Sequence, residues 1–279
     1  MSDRSWLDPT RLDLRMKGVS RRFGSASTGH LAVDDVSLEF SPRTSMGIVG
    51  ESGSGKSTTA RMLVGLDTPT SGTIDFNGRS LARMLPYRHV SRVFRRAVQF
   101  VGQDTTSTFD PRHSLLDSII YPTQKLHRKR TKDAVADADA LLGELGLDPA
   151  LARRRPHQVS GGQRQRFALA RALIVQPKLL VCDEVVSALD VSVQGSILNL
   201  LKDYCAKHEA GLVFVSHGLP ATAFVADELV VMYHGRVVER GPSADVIARP
   251  THEYTRSLLD AYRGLGDGGA ATENRKVAS

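Results

Sequence analysis

The chain has 279 residues, 41% hydrophobic and 24% charged, with a formal net charge of +7. That length allows one large domain or two small ones, and the composition excludes fibrous and disordered classes. Apolar runs such as Ala172 to Val175 and Leu212 to Val215 fall far short of the ~18–20 residues a membrane helix needs, so no span is expected.

From the N-terminus, Asp3, Arg4 and Asp8 surround Trp6 with no apolar run, so no signal peptide is expected. Leu12, Leu14 and Met16 alternate apolar with polar, as a half-buried strand does, and Val36, Leu38 and Phe40 repeat the pattern after a turn over Gly24 to Gly29. Met46 to Val49 is a short buried strand ending in a glycine- and serine-rich loop. Helical spacing follows from Lys56 to Leu66, and Thr68-Pro69-Thr70-Ser71-Gly72 breaks it. From about 105 to 160 the apolar spacing is helical, through Leu115, Ile119 and Ile120 and then Ala138, Leu141, Leu142 and Leu145, which predicts a helical insertion. Alternation then resumes: strands at Leu179–Cys182 and Leu212–Val215, a helix at Val193–Tyr204, and two short strands at Leu229–Met232 and Arg236–Glu239. Strand–helix alternation predicts a largely parallel sheet covered by helices. Residues 263–279, rich in glycine, are expected to be a disordered tail. Cys182 and Cys205 make no disulfide framework and fit a reducing cytoplasm. The basic excess, mostly arginine in runs such as Arg153-Arg154-Arg155, is most simply a solvated surface, and no nucleic-acid partner is expected.

The strongest motif is Gly50-Glu51-Ser52-Gly53-Ser54-Gly55-Lys56-Ser57-Thr58, a full match to G-x-x-x-x-G-K-[ST] between a strand and a helix. Glycines let the backbone turn tightly and aim N–H groups at phosphate oxygens, and the helix that follows presents its positive end. Lys56 suits the β- and γ-phosphates, and the Ser57 hydroxyl suits Mg²⁺. A second strand ends in Asp183-Glu184, with Asp183 suited to Mg²⁺ and Glu184 to polarising an attacking water.

Between these lies Val159-Ser160-Gly161-Gly162-Gln163, followed by Arg164 to Leu173. With the phosphate loop, this resembles the signature segment of the ATP-binding cassette family, LSGGQ, with Val159 in place of leucine. The resemblance covers residues 10–262. It implies a P-loop NTPase (RecA-like) α/β core with an antiparallel β subdomain and an inserted α-helical subdomain. ATP and Mg²⁺ are the implied cofactors. It also implies that Ser160, Gly161, Gly162 and Gln163 serve ATP held by an opposite subunit, so that two cassettes pair. Gln103 matches the family's Q-loop glutamine at Mg²⁺, Asp190 its D-loop, His217 its switch histidine at the γ-phosphate, and Phe23 the aromatic that stacks on adenine. For Phe23 a core position is the rival reading, and for Gln103 and His217 an ordinary surface position.

Within the family, Asp110-Pro111-Arg112, Pro156-His157-Gln158 and the run Arg249 to Leu259 resemble the dipeptide, oligopeptide and nickel importer group, with residues 243–262 as its C-terminal segment. Glu253 stands where that group usually has proline. The resemblance implies an importer ATPase at the cytoplasmic face of the inner membrane. Its implied partners are two permease subunits, a second ATPase subunit and an extracytoplasmic solute-binding protein. An exporter, or a soluble cassette acting on DNA or ribosomes, are the alternatives. Three departures stand beside site residues: Val185 for proline, Gly218 for aspartate and Thr105 for proline. The first should soften its turn, and the second should loosen the hold on His217.

Overall fold

The structure is a computed structural model describing residues 5–8, 11–25, 29–104, 108–187 and 189–271. In chain order the strands and helices are β1 (Leu14–Phe23), β2 (His30–Phe40), β3 (Ser45–Val49), α1 (Lys56–Leu63), β4 (Ser71–Phe76), β5 (Arg79–Ser80), α2 (Leu81–Met84), α3 (Arg88–Ala97) and β6 (Val98–Val101). Next come α4 (Leu115–His127), α5 (Thr131–Glu144), α6 (Gly161–Leu173), β7 (Leu179–Asp183), α7 (Val191–His208), β8 (Gly211–Val215), α8 (Leu219–Val225), β9 (Glu228–Tyr233), β10 (Arg236–Pro242), α9 (Ser243–Ala248) and α10 (Glu253–Ala271).

Two sheets carry the fold. One runs β2-β1-β4-β5 and is antiparallel throughout. The other runs β10-β9-β3-β8-β7-β6, parallel except for the edge pairing of β10 with β9. This is the α/β core with its antiparallel subdomain, and α4 and α5 fall inside the expected helical insertion. The two-residue period of the central strands explains how one sheet serves two cores. In β7, Leu180 and Cys182 join the core shared with α4 to α7, while Leu179 and Val181 face the core shared with the antiparallel sheet. A third, smaller cluster joins Val49 and Val231 to Leu219, Val246, Tyr254 and Leu259, seating α10 against the ends of β3 and β9.

Three expectations need correction. The stretch read only as a helix breaker opens into β4, whose Ile74 and Phe76 are buried against β1. The first helix ends at Leu63, short of Leu66. The tail expected to be disordered begins as helix: α10 continues to Ala271, and of this tail residues 272–279 lie outside the described part. A helix already nucleated on a packed segment extends at one hydrogen bond per residue, so glycines alone do not stop it.

Candidate nucleotide site

The registers of the parallel strands bring four loops to one edge of the sheet. Ile48 and Asp183 both pair with Val215, and Val101 pairs with Cys182. The chain leaving each strand therefore enters the same crevice: Gly50 to Gly55 after β3, Gln103 after β6, Glu184 after β7, and Ser216-His217 after β8. A crevice at the carboxyl ends of parallel strands is where α/β sheets bind ligands.

The phosphate loop is held from several sides. Gly50 adopts φ +152° with the Met232 carbonyl 2.2 Å from where a Cβ would stand, and Gly55 adopts φ +99° with the Ala32 carbonyl 2.3 Å away. Only glycine fits these approaches. The turn between β9 and β10 braces the loop, the Gly235 N–H donating to the Ser54 carbonyl at 3.1 Å. Lys56 is buried, and its Nζ donates to the carbonyls of Gly50 at 2.8 Å and Glu51 at 2.6 Å, with Ser54 Oγ at 3.4 Å. Burial pushes the Lys56 ammonium below its ordinary value, against the pull of Glu184, Asp183 and Glu51.

Ser57 Oγ donates to Asp183 Oδ1 at 2.9 Å. Burial raises the Asp183 carboxyl above its ordinary value and the Glu184 charge adds to this, while the Ser57 bond and Lys56 oppose it. A buried carboxylate next to a hydroxyl, with no arginine or lysine among the described residues bonded to it, is an oxygen donor pair fit for a hard divalent cation. Gln103 Nε2 is bonded instead to Glu184 Oε2 at 2.9 Å, so only its amide oxygen could serve such an ion.

Glu184 is the hub of the crevice mouth. It accepts from Gln103, and His217 Nδ1 lies 3.6 Å from its other oxygen. Its backbone is left-handed at φ +51°, pinned by its N–H donating to the Val215 carbonyl at 2.9 Å. Ser187 Oγ donates to the Glu184 carbonyl at 2.9 Å, and Val185 is buried in the core. These anchors hold the turn that proline would otherwise stiffen.

A cleft of about 360 Å³ is lined by Phe23, Ser52, Gly53, Gly55, Lys56, Ser57, Thr58, Gln103 and Glu184. His30 and Ala32 complete it; no motif in the sequence marked either one. Phe23 is 42% exposed, with the Arg21 guanidinium 4.7 Å from its ring centre, so the core reading of this residue is excluded. Ser160, Gly161, Gly162, Gln163 and Asp190 do not line this cleft. They lie at two other helix starts. Ser160 Oγ accepts from the Gln163 N–H at 3.2 Å while Gln163 Oε1 accepts from the Ser160 N–H at 3.0 Å, a reciprocal cap at the start of α6. Asp190 precedes α7 and is exposed. Thr105 lies outside the described residues.

Fold and site together define a P-loop nucleotide-binding cassette of the α/β class. The family model for ABC transporter matches residues 33–187, more than half of the chain, and the chain belongs to that family. It is 44% identical over 256 residues to the glutathione import ATP-binding protein GsiA of Shigella dysenteriae serotype 1 (strain Sd197), covering 89% of this chain and 41% of that protein. Against GsiA of Escherichia coli (strain K12) the identity is 44% over 230 residues, covering 82% of this chain and 37% of the relative. The chain thus spans about two fifths of the length of these curated relatives. The dimeric structure of MJ0796, a bacterial ABC transporter cassette, superposes with a TM-score of 0.75 at 26% identity, covering 82% of this chain and 98% of that one. A post-hydrolysis structure of the same cassette bound to ADP and Pi gives 0.72 at 25% identity, with the same coverage. Among the described residues, no helix is long and apolar enough to cross a membrane.

Proposed function

We propose that this chain is the ATP-hydrolysing subunit of an importer for di- or oligopeptides, working as one of a pair of cassettes beneath separate membrane permeases. The observation that carries the catalytic part is the placing of Glu184 between Gln103 and His217, at the mouth of the phosphate-loop cleft. Lys56 turns from the loop carbonyls to the β- and γ-phosphates of ATP, whose oxygens meet the backbone N–H groups at the start of α1. Phe23, on the cleft wall, stacks on adenine. Ser57 and Asp183, with the amide oxygen of Gln103, would hold Mg²⁺, which neutralises charge on the β- and γ-phosphates when bound. Glu184 orients a water and accepts its proton as the water oxygen bonds to the γ-phosphorus. The bond to the bridging oxygen breaks, leaving ADP and inorganic phosphate, and His217 steadies the γ-phosphoryl oxygens.

Ser160 and Gly161 to Gln163 stand apart from this cleft, which suits them to the ATP of a second cassette, homologous or identical. Asp190 then sits at the same dimer seam. In this reading the chain passes its motion to separate permease subunits at the cytoplasmic face of the inner membrane. An extracytoplasmic solute-binding protein would deliver the cargo. The peptide class is supported by relatives named for import of glutathione, itself a tripeptide.

Replacement of Glu184 by Gln keeps an acceptor for Gln103 but removes the proton acceptor. Steady-state hydrolysis should fall by about 100-fold or more, with ATP binding retained; unchanged turnover would remove Glu184 from the role. Co-purification from membranes tests the rest. Recovery of permeases and a peptide-binding protein is the expected result, and recovery of only ribosomes or DNA would refute it.

A further inference from the structure

His217 is weakly held by its own side chain. That side chain is 57% exposed, and Glu184 at 3.6 Å is the ion-pair contact it makes. The residue after it, Gly218, begins α8 without a side-chain cap, where an aspartate would supply one. The position of the imidazole therefore depends on the backbone of residues 216–219. That backbone has an outside support. The Tyr262 hydroxyl, from α10, donates to the His217 carbonyl, and the Leu219 backbone N–H faces the same phenol oxygen. Tyr262 also packs on the apolar cluster that includes Leu219 and Val49.

The helix that carries Tyr262 is itself anchored to the nucleotide site. Eight residues earlier, the Tyr254 phenol oxygen accepts from the N–H of Glu51, in the phosphate loop, at 2.8 Å. Tyr254 is buried and stacks on Tyr233 with ring centres 4.1 Å apart. The start of α10 is fixed by Glu239, whose carboxylate accepts from the Thr251 N–H at 2.7 Å and the His252 N–H at 3.0 Å. One helix thus bridges the loop after β3 and the loop after β8, from behind the cleft.

We infer that Tyr262 is a positioning residue for ATP hydrolysis, holding the His217 loop in place of the missing side-chain cap at position 218. This rests on the reading of His217 as the γ-phosphate contact. Because that contact matters most as the γ-phosphoryl group transfers, loss of the clamp should lower kcat and spare KM.

The test is steady-state ATP hydrolysis by the full chain with Tyr262→Phe, which keeps the ring and its packing but loses the hydroxyl. Turnover should fall about five-fold, the worth of one hydrogen bond, with KM for ATP within about two-fold and a melting temperature lower by no more than about 4 °C. In a His217→Ala background the same substitution should have no further effect. An equal further loss in that background would show a general structural role and overturn the inference, as would unchanged turnover in both Tyr262→Phe and Tyr262→Ala. Normal turnover in His217→Ala alone would instead sink the reading of His217, a separable result.

Discussion

Gly53 and Gly55 offer a matched pair for testing how tightly the phosphate loop is built. Both have left-handed backbones, at φ +81° and φ +99°. A Cβ at Gly53 meets nothing within 4 Å, whereas one at Gly55 stands 2.3 Å from the Ala32 carbonyl and 3.3 Å from Val33 Cγ2. Alanine at either position bears the conformational cost of a left-handed L-residue, about 1–2 kcal/mol. At Gly55 the backbone must also move by roughly 0.7 Å to relieve the contact, against a β2 strand paired along its length, adding about 1–3 kcal/mol. For a chain of this size each kcal/mol lowers the melting temperature by about 2–4 °C. Gly55→Ala, melted without nucleotide and followed by circular dichroism, should therefore lose at least about twice the melting temperature lost by Gly53→Ala. It should also bind ATP about ten-fold more weakly by titration calorimetry, since the N–H groups at the start of α1 are displaced. If the two variants melt within about 2 °C of each other, the claim that the Ala32 carbonyl confines the loop is wrong.

Asp183→Asn keeps an acceptor for Ser57 but removes a buried charge. Burial raises this carboxyl, so its ionisation costs stability as pH rises through the folded value; the variant should melt about 1–3 °C higher at neutral pH without nucleotide, and hydrolyse ATP at least about 100-fold more slowly. A lower melting temperature would contradict this. Glu239 has the opposite sign: burial would raise its carboxyl, but hydrogen bonds from Thr251 and His252 prevail and hold it below the ordinary value. Its contribution is full above the ordinary glutamate range and fades on acidification, so hydrogen exchange over residues 253–262 should speed up from pH 7 to about pH 4 beyond its intrinsic change. Glu239→Gln should abolish that excess. Ser160→Ala removes the reciprocal cap at the start of α6, a loss of about 1 kcal/mol. It should depress hydrolysis even though Ser160 is outside the cleft of its own chain, and mixing with an intact-signature, Glu184→Gln chain should restore turnover at the site that pair completes.

Much of the candidate nucleotide site was legible because the chemistry proposed for it constrains residue type locally. A loop that must bring N–H groups against phosphate is written in Gly50, Gly53 and Gly55, and Lys56 and Ser57 follow at once. The strands of the parallel sheet read as short apolar runs because both faces are buried. The antiparallel subdomain was less legible. β4 hides behind Thr68 to Gly72, since turn residues end one element without announcing the next, and Ile74 and Phe76 are buried only by their pairing with β1. The two readings of Phe23 could not be separated by sequence, because an aromatic at a strand end is equally at home inside a core or on a cleft wall; its neighbours across the fold decide.

The +7 charge, the two candidate phosphate-site motifs and the alternation of short apolar strands with helices in the parallel sheet were legible in the chain alone. Tertiary structure decided what touches what. Parallel register set Gln103, Glu184 and His217 side by side although 81 residues separate the first two. It left Ser160 on another surface, and it carried Tyr254 and Tyr262 from the C-terminal helix to the phosphate and histidine loops. Such contacts carry no local signature, because a tyrosine needs only a burying surface and a hydrogen-bond partner, and both are supplied by distant segments.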